Sequence, residues 1–212
     1  LIIHCDLKPA NILVDENKRV RLLDFGVARL LDETMTTGAP TRALVTPEFA
    51  APEQLGAEAS TVATDIYALG AVMYQLLAGQ GPWAGAKSSL PSIMRRALNE
   101  DPDLPSRIAQ TKGGPILASR LAGDLDAIVM KAMRRTPLER YRSAAEMGDD
   151  IGRHLRMEPV LARSGSARYM LERFVRRYRW AVGASVAAVL ALMIAAGGIA
   201  WQARQTVIER NI

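Results

Sequence analysis

Cysteine is almost absent from this 212-residue chain, and so is any export pattern at its start. Cys5 is the only cysteine, which excludes an intramolecular disulfide and with it the small disulfide-stapled secreted domains. The main part of the chain is therefore compatible with a reducing compartment. No basic stretch followed by an apolar stretch opens the sequence, and no methionine does. We therefore expect Leu1 to lie inside a longer protein.

Charge of either sign is absent from Trp180 to Trp201, the longest uncharged run in the chain. Elsewhere the composition is ordinary for a globular protein, with 49% hydrophobic and 23% charged residues. The net charge of +5 would suit nucleic acid, but many basic residues lie just before the uncharged run, which favours anionic lipid as the partner. These residues are Arg163, Arg168, Arg173, Arg176, Arg177 and Arg179.

Two short apolar runs, Ile12–Val14 and Val20–Leu23, flank the turn-forming sequence Asp15–Lys18. This pattern predicts a β-hairpin. A long segment rich in Thr, Gly and Pro follows from Val27 to Ala50, with little periodicity. Loops of that length in a compact domain are usually functional, so we expect a functional loop here.

Helical patterns dominate the rest of the first 155 residues. Asp65 is expected to cap a buried central helix over Ile66–Ala78 that ends at Gly79. Ser143 and Glu146 form a capping box that opens a late helix. The other predicted elements are helices through 93–98 and 125–133 and an irregular connection over 102–115.

Side chains with hard oxygen atoms flank the predicted hairpin. Asp6 and Asn11 precede it and Asp24 follows it, so two carboxylates and a carboxamide meet at one edge of a small β-structure. Such groups are proton acceptors and oxygen ligands that suit Mg²⁺ and a polyphosphate. Gly26 frees the backbone to turn after Asp24, and Phe25 can pack beneath.

Four motifs stand in a fixed order along the chain. They are H-x-D-x-K-x-x-N at His4–Asn11, D-F-G at Asp24–Gly26, T-P-E-F-A-A-P-E at Thr46–Glu53 and D-I-Y-A-L-G at Asp65–Gly70. In this order they resemble the motifs of the eukaryotic-like protein kinases. The resemblance covers positions 1 to about 155 and implies the carboxyl-terminal lobe of that fold, mainly helical with a small β-hairpin.

The resemblance implies a role for each polar residue around the hairpin. Asp6 would accept the proton of the substrate hydroxyl or orient it, and Lys8 would contact the γ-phosphate of ATP. Asn11 and Asp24 would hold the Mg²⁺ ions that bridge the phosphates. Lys8 and Thr46 resemble the pattern of kinases that act on Ser and Thr in proteins.

Besides Thr46, four residues are expected to be structural. Glu53 and Arg140 would form a buried ion pair, and Asp65 would anchor the backbone of the loop around Asp6. His4 is expected to be packed and hydrogen-bonded rather than catalytic. His154, on the last predicted helix of the lobe, is expected to be solvated or to cap the helix.

Two departures from the family pattern stand out. Cys5 replaces an Arg that receives the phosphate of the activation loop, and a thiol cannot form that charge-assisted pair. We therefore expect a loop that needs no phosphate, unless Arg29 or Arg42 takes over the task. The amino-terminal lobe, with its Gly-rich loop and strand Lys, has no counterpart in these residues, so we expect the chain to be part of a larger kinase.

The uncharged run from Trp180 to Trp201 spans ~33 Å as a helix, enough for a hydrocarbon core of ~30 Å. A buried core helix is the alternative. Arginines are more numerous before the run than after it, so the positive-inside rule places the kinase-like lobe in the cytoplasm and the carboxyl terminus outside. Small residues at every fourth position could pair two such helices in a homodimer; these are Gly183, Ala187, Ala191 and Ala195.

These patterns and the resemblance predict four regions and one principal function, the transfer of the γ-phosphoryl group of ATP to Ser or Thr of proteins. The regions are a kinase lobe over 1–155, a basic juxtamembrane linker over 156–179, a single membrane-spanning helix over 180–201 and the start of an extracytoplasmic segment over 202–212. This arrangement resembles bacterial receptor-type Ser/Thr kinases of the plasma (inner) membrane. The alternative function is a membrane-tethered pseudokinase or binding module that docks proteins without turnover. No nucleic-acid partner is predicted.

Overall fold

The computed structural model describes residues 2–24, 29–30, 46–56, 58–85, 89–163 and 167–210. Two compact units are present: residues 1–155 with 160–164, and residues 156–159 with 165–212. Phe25, Gly26, Arg42 and most of the predicted loop over 27–50 lie outside the described residues, as do four of its five threonines, Thr34, Thr36, Thr37 and Thr41.

The first unit begins with short antiparallel strand pairs. Strand β1 (Ile2–Ile3) pairs with β4 (Arg29–Leu30), and β2 (Ile12–Val14) pairs with β3 (Val20–Leu22). The β2–β3 hairpin confirms the sequence prediction. Asp15 holds its turn, because the carboxylate accepts the backbone N–H groups of Asn17 at 3.0 Å and Arg19 at 2.8 Å.

Helices build the rest of the first unit, as predicted. They are α1 (Pro52–Leu55), α2 (Val62–Ala78), α3 (Leu90–Asn99), α4 (Pro105–Lys112), α5 (Ala118–Leu121), α6 (Asp124–Ala132) and α7 (Ala144–Leu155).

Helix α2 is the centre of the core. Its Tyr67, Ala71 and Tyr74 are buried together with Val129 of α6 and Phe49. The close approach of α2 and α6 requires glycine at position 70, because a Cβ there would lie 2.8 Å from the Cβ of Ala132. Burial of each large side chain at this contact contributes ~2 kcal/mol to the stability of the lobe.

The predicted beginning of the central helix is wrong, whereas its predicted end is confirmed. Helix α2 starts at Val62 rather than after Asp65, and Thr61 precedes it in an extended conformation. Asp65 lies inside the first turn because its carboxylate accepts hydrogen bonds from the segment around His4 instead of capping the helix. Gly79 ends α2 with a φ of 78°, a left-handed conformation that favours glycine.

The predicted irregular connection over 102–115 is also wrong, since it contains helix α4. Pro105 occupies the first turn of α4, where its missing N–H costs nothing. Ser106 fastens this turn to α6, because its backbone N–H and its hydroxyl donate to the Asp126 carboxylate at 3.0 and 2.6 Å. Gly113 then ends the helix at a φ of 72°.

The capping pair before α7 differs in one bond from the predicted box. The Ser143 hydroxyl accepts the N–H of Glu146 at 3.1 Å, as expected. The Glu146 carboxylate, however, accepts the N–H of Arg142 at 2.7 Å, one residue before the predicted partner. Glu146 therefore fixes the backbone at Arg142, just before α7.

Asp150 of α7 holds a short segment that follows the lobe. Its buried carboxylate accepts the Tyr141 hydroxyl at 2.9 Å and the backbone N–H groups of Leu161 at 2.6 Å and Ala162 at 2.9 Å. Arg163 adds an ion pair to the buried Asp124 at 3.1 Å. These bonds explain why residues 160–163 belong to the first unit.

The second unit contains two helices, α8 (Ala167–Arg177) and α9 (Arg179–Arg210). Within α9, the segment Arg179–Gly198 is long and apolar enough to cross a membrane by length and composition, and none of it is buried. The lack of burial does not favour the alternative of a core helix.

Candidate active site

The loop around Asp6 is anchored through its backbone. The Asp65 carboxylate accepts the N–H of His4 at 2.8 Å and that of Cys5 at 2.9 Å. Gln54 donates its side-chain amide to the carbonyl oxygen of Cys5 at 2.8 Å. Cys5 has a φ of 66°, a conformation that costs a residue with a side chain about 1 kcal/mol. Two side chains from α1 and α2 therefore hold the residues before Asp6 in a strained conformation.

His4 links this loop to the end of the hairpin. Its buried ring donates from Nε2 to the carbonyl oxygen of Leu23 at 3.1 Å, and Nδ1 accepts the N–H of Asp6 at 3.4 Å. The N–H of Leu23 donates to the carbonyl oxygen of Asn11 at 2.8 Å. Both backbone polar groups of Leu23 are thus hydrogen-bonded, which fixes the backbone position from which Asp24 follows.

Asp6, Lys8 and Thr46 form a connected group. The Lys8 ammonium lies 2.7 Å from Oδ2 of Asp6 and donates to the Thr46 hydroxyl at 3.0 Å. Both charged side chains are partly exposed, Lys8 by 24% and Asp6 by 13%. A carboxylate and a cation therefore stand side by side at an accessible position, next to a hydroxyl from a segment 38 residues further along the chain.

Asn11 is buried beside Asp6. Its Nδ2 donates to the Asp6 carbonyl oxygen at 2.9 Å and to Oδ2 of Asp6 at 3.3 Å. Because both bonds use the amide nitrogen, they orient the side chain and leave the amide oxygen as its ligand atom. Sequence reasoning paired these residues through the resemblance, and the structure brings them into contact.

Asp24 follows the hairpin with a φ of 55° and an exposed side chain. No group of three or more His, Cys, Asp or Glu side chains gathers around one point in the described part of the chain. Asn11 and Asp24 nevertheless fit Mg²⁺, since they supply oxygen ligands and this ion usually takes only one or two carboxylates together with water and phosphate oxygens.

Glu53 and Arg140 form the expected buried ion pair. The guanidinium donates from Nη1 to Oε1 at 2.7 Å and from Nη2 to Oε2 at 2.8 Å. The Thr64 hydroxyl donates to Oε1 at 2.9 Å. Burial raises the pKa of Glu53, but the Arg140 guanidinium and the further hydrogen bonds outweigh burial and hold this pKa below its ordinary value.

Two contacts in the first unit were not predicted from the sequence. Gln54 fixes the carbonyl oxygen of Cys5, yet its place after Glu53 carries no local signal of that contact. His154 was expected to be solvated or to cap its helix, but its Nδ1 lies 3.2 Å from the buried Asp124 carboxylate. Both contacts join distant parts of the chain.

A cavity of about 310 Å³ lies elsewhere in the first unit. It lies between the end of α2 and the start of α3, where Gln75, Trp83 and Ile93 are among its lining residues. None of the polar residues around the hairpin lines it, so the candidate active site is not this cavity.

Residues 1–146 match the family described as the protein kinase domain. The chain belongs to the protein kinase family. It is 37% identical over 151 residues to the serine/threonine-protein kinase PknB of Mycolicibacterium smegmatis, a match that covers 71% of this chain and 22% of that protein. PknB of Mycobacterium tuberculosis strain H37Rv is 37% identical over 159 residues, covering 74% of this chain and 24% of its own length.

Two more comparisons agree with the family. A probable PknB from Corynebacterium glutamicum is 36% identical over 153 residues, which cover 72% of this chain and 23% of that protein. The twitchin kinase region of C. elegans has a similar structure, with a TM-score of 0.53 and 26% identity, over 66% of this chain and 23% of that one. The resemblance to the eukaryotic-like protein kinases and the mainly helical fold are thus confirmed. The chain spans less than a quarter of the length of these relatives.

Proposed function

We propose that the protein containing this chain transfers the γ-phosphoryl group of ATP to Ser or Thr hydroxyls of other proteins. The observation that carries the proposal is the contact of Lys8 with both Asp6 and Thr46. It joins a proton acceptor, a cation and the segment that resembles the acceptor-binding segment of Ser/Thr kinases. The relatives named serine/threonine-protein kinases support the same class of substrate.

Asp6 orients the acceptor hydroxyl and accepts its proton in this mechanism. A bond forms between the hydroxyl oxygen and the γ-phosphorus, and the bond from that phosphorus to the bridging oxygen of ADP breaks. The Lys8 ammonium stabilises negative charge on the γ-phosphoryl oxygens. His4 and Asp65 are positioning residues, since they hold the backbone around Asp6.

Asn11 and Asp24 would hold Mg²⁺, which neutralises charge on the phosphate oxygens when it is bound. Asp6 orients Asn11 for this role. The Asn11 Nδ2 donates to the carbonyl oxygen and to Oδ2 of Asp6, so the Asn11 amide oxygen is left to bind the ion. The 212 residues contain no Gly-rich loop or strand Lys pattern for the α- and β-phosphates. We therefore propose that this lobe works together with residues outside the 212, and that the isolated chain transfers little phosphate.

Membrane anchoring is the second part of the proposal. Helix α9 supports a single-pass anchor, because its apolar segment is long enough and unburied. The arginines before it support a lobe on the cytoplasmic side of the plasma (inner) membrane and a carboxyl terminus outside. We propose the four regions 1–155, 156–179, 180–201 and 202–212 on this basis. Pairing of two α9 helices stays a prediction.

Incubation of the full-length protein with γ-labelled ATP, Mg²⁺ and a general protein acceptor tests the activity. Label on Ser and Thr but not on Tyr after acid hydrolysis is the expected result. The alternative, a binding module without turnover, is supported by the same missing phosphate-binding pattern. It predicts nucleotide or protein binding with no transfer of label above a heat-inactivated control.

A further inference from the structure

Helix α8 carries an exposed apolar face. Four residues of α8 and Tyr178, which directly follows the helix, lie at positions i, i+1, i+4, i+5 and i+8, which share one side of a helix. They are 40–63% exposed although all are large and hydrophobic or aromatic; they are Met170, Leu171, Phe174, Val175 and Tyr178. The rings of Phe174 and Tyr178 lie 5.0 Å apart, so the end of the face is a continuous aromatic surface. An exposed apolar face of this kind marks an interaction surface.

The same helix is strongly basic. Helix α8 contains four arginines and one glutamate, a net charge of +3, and Arg179 follows it. Arg177 lies 2.9 Å from Glu158, which also lies 3.3 Å from Arg156, so one carboxylate serves two arginines. Positive charge therefore remains in excess beside the apolar face.

Helix α8 also leads directly into the apolar segment of α9. The N–H of Tyr178 donates to the carbonyl oxygen of Phe174 at 3.0 Å, and the N–H of Val182 donates to that of Tyr178 at 2.9 Å. Both bonds meet at Tyr178, the single residue that separates the end of α8 from the start of α9. When α9 spans a bilayer, the carboxyl end of α8 must lie at the level of the lipid headgroups.

We propose that α8 lies in the surface of a membrane that contains anionic lipid, with its apolar face in the acyl boundary and its arginines on the lipid phosphates. The inference rests on the proposed anchoring by α9. Eleven helical residues measure ~17 Å, more than the ~5–8 Å of one headgroup layer, so an upright α8 would leave much of the face in water. A helix in the membrane plane buries it. Nucleic acid would match the charge but offers no apolar partner for this face.

A fluorescent label at Phe174 tests the proposal in the full-length protein. Phe174→Cys, in a Cys5→Ser background, is labelled with nitrobenzoxadiazole and reconstituted into vesicles of phosphatidylcholine alone or with one part in three of phosphatidylglycerol. The expected result is a blue shift and slower quenching by added dithionite in the anionic vesicles. Leu138→Cys, at a site that is 96% exposed in the first unit, is the matched control and should quench equally fast in both.

Removal of arginine charges from α8 is the second part of the experiment. Arg173→Gln and Arg177→Gln should each weaken the anionic-lipid dependence about fivefold, which corresponds to ~1 kcal/mol per charge at the surface. Equal quenching at position 174 in both lipids would overturn the proposal, as would protection by duplex DNA but not by anionic vesicles. Failure of the anchor is a different outcome, because alkaline carbonate would then release the wild-type protein from the vesicles.

Discussion

Glu53 and Arg140 meet in a two-pronged ion pair across 87 residues of sequence, with N–O distances of 2.7 and 2.8 Å. Their side chains are 4% and 0% exposed, so the charges are almost fully removed from water. Arg140 also donates to three backbone carbonyl oxygens, those of Ala63, Arg134 and Arg135. The pair thus joins α1, the start of α2 and the loop before α7.

Glu53→Gln should destabilise the lobe by about 3–5 kcal/mol, because the Arg140 guanidinium would stay buried without its counter-charge. Urea unfolding in detergent micelles, followed by the fluorescence of the buried Trp83, measures the loss. Glu100→Gln is the matched control. Its carboxylate is 49% exposed and pairs with Arg96 one helical turn away, so its removal should cost less than about 1 kcal/mol.

The pH dependence of the unfolding free energy is a second test of the Glu53–Arg140 pair. The pKa of Glu53 is lower in the folded lobe than its ordinary value of 4.5. A lowered folded pKa means that the stabilisation is present above pH 4.5 and is lost as the pH falls toward and through the folded pKa. The difference in unfolding free energy between wild type and Glu53→Gln should therefore shrink below pH 4.5. A constant difference down to pH 3 would contradict the assigned role.

Asp65→Asn should loosen the loop before Asp6 while the lobe stays folded. The amide offers one acceptor oxygen where the carboxylate accepts two N–H groups, and its NH₂ would face a donor. Amide hydrogen exchange at His4 and Cys5 should accelerate about tenfold or more, which corresponds to ~1.4 kcal/mol. Asp103→Asn, a substitution on the exposed side of α4's entrance, should leave these amides unchanged. Unchanged exchange in Asp65→Asn would show that Gln54 alone holds the loop.

Alanine at the four loop threonines, Thr34, Thr36, Thr37 and Thr41, should lower the phosphorylation rate of the full-length protein less than about tenfold, or ~1.4 kcal/mol in barrier. Cys5 is the reason, because this neutral residue cannot pair with a loop phosphate. Initial rates of labelling of a protein acceptor measure the effect. A hundredfold loss with an unchanged circular dichroism spectrum would mean that another cation receives such a phosphate.

The protein should resist extraction by both high salt and alkaline carbonate. An apolar segment across the bilayer is not released by either treatment, whereas a peripheral basic patch is released as salt screens its charges. A reporter enzyme fused after Ile212 should be active only on the exported side. Activity of that reporter in the cytoplasm would contradict the proposed orientation, and release by salt would contradict the anchor itself.

Local chemistry made parts of the fold predictable. The turn formers between two apolar runs predicted the β2–β3 hairpin, and Gly79 predicted the end of α2 because the left-handed conformation favours glycine. The resemblance supplied the grouping of Asp6, Lys8 and Asn11. Their hydrogen bonds to one another were beyond periodicity or spacing alone.

Long-range bonds account for what was predicted wrongly. Asp65 resembles a helix cap in sequence, but its carboxylate is committed to residues about 60 positions earlier. Helix α4 looks like a proline-rich connection, yet Pro105 fits a first turn and Ser106 binds Asp126, 20 residues away. Propensity is a weak guide to such elements because tertiary contacts decide them.

Phosphoryl transfer by Asp6→Asn and Asp24→Asn variants of the full-length protein tests the central claim most directly. Single-turnover rates with γ-labelled ATP and Mg²⁺ give the chemistry, and titration with a fluorescent ATP analogue gives nucleotide binding. We predict that Asp6→Asn loses about 10²–10⁴-fold in rate, since the proton acceptor is removed, while nucleotide affinity stays within about twofold, since the backbone carbonyl oxygen of residue 6 still accepts from Asn11. Asp24→Asn should lose the Mg²⁺-dependent part of nucleotide binding as well. An Asp6→Asn rate equal to that of Asp103→Asn and wild type would contradict the assignment of this loop as the catalytic site.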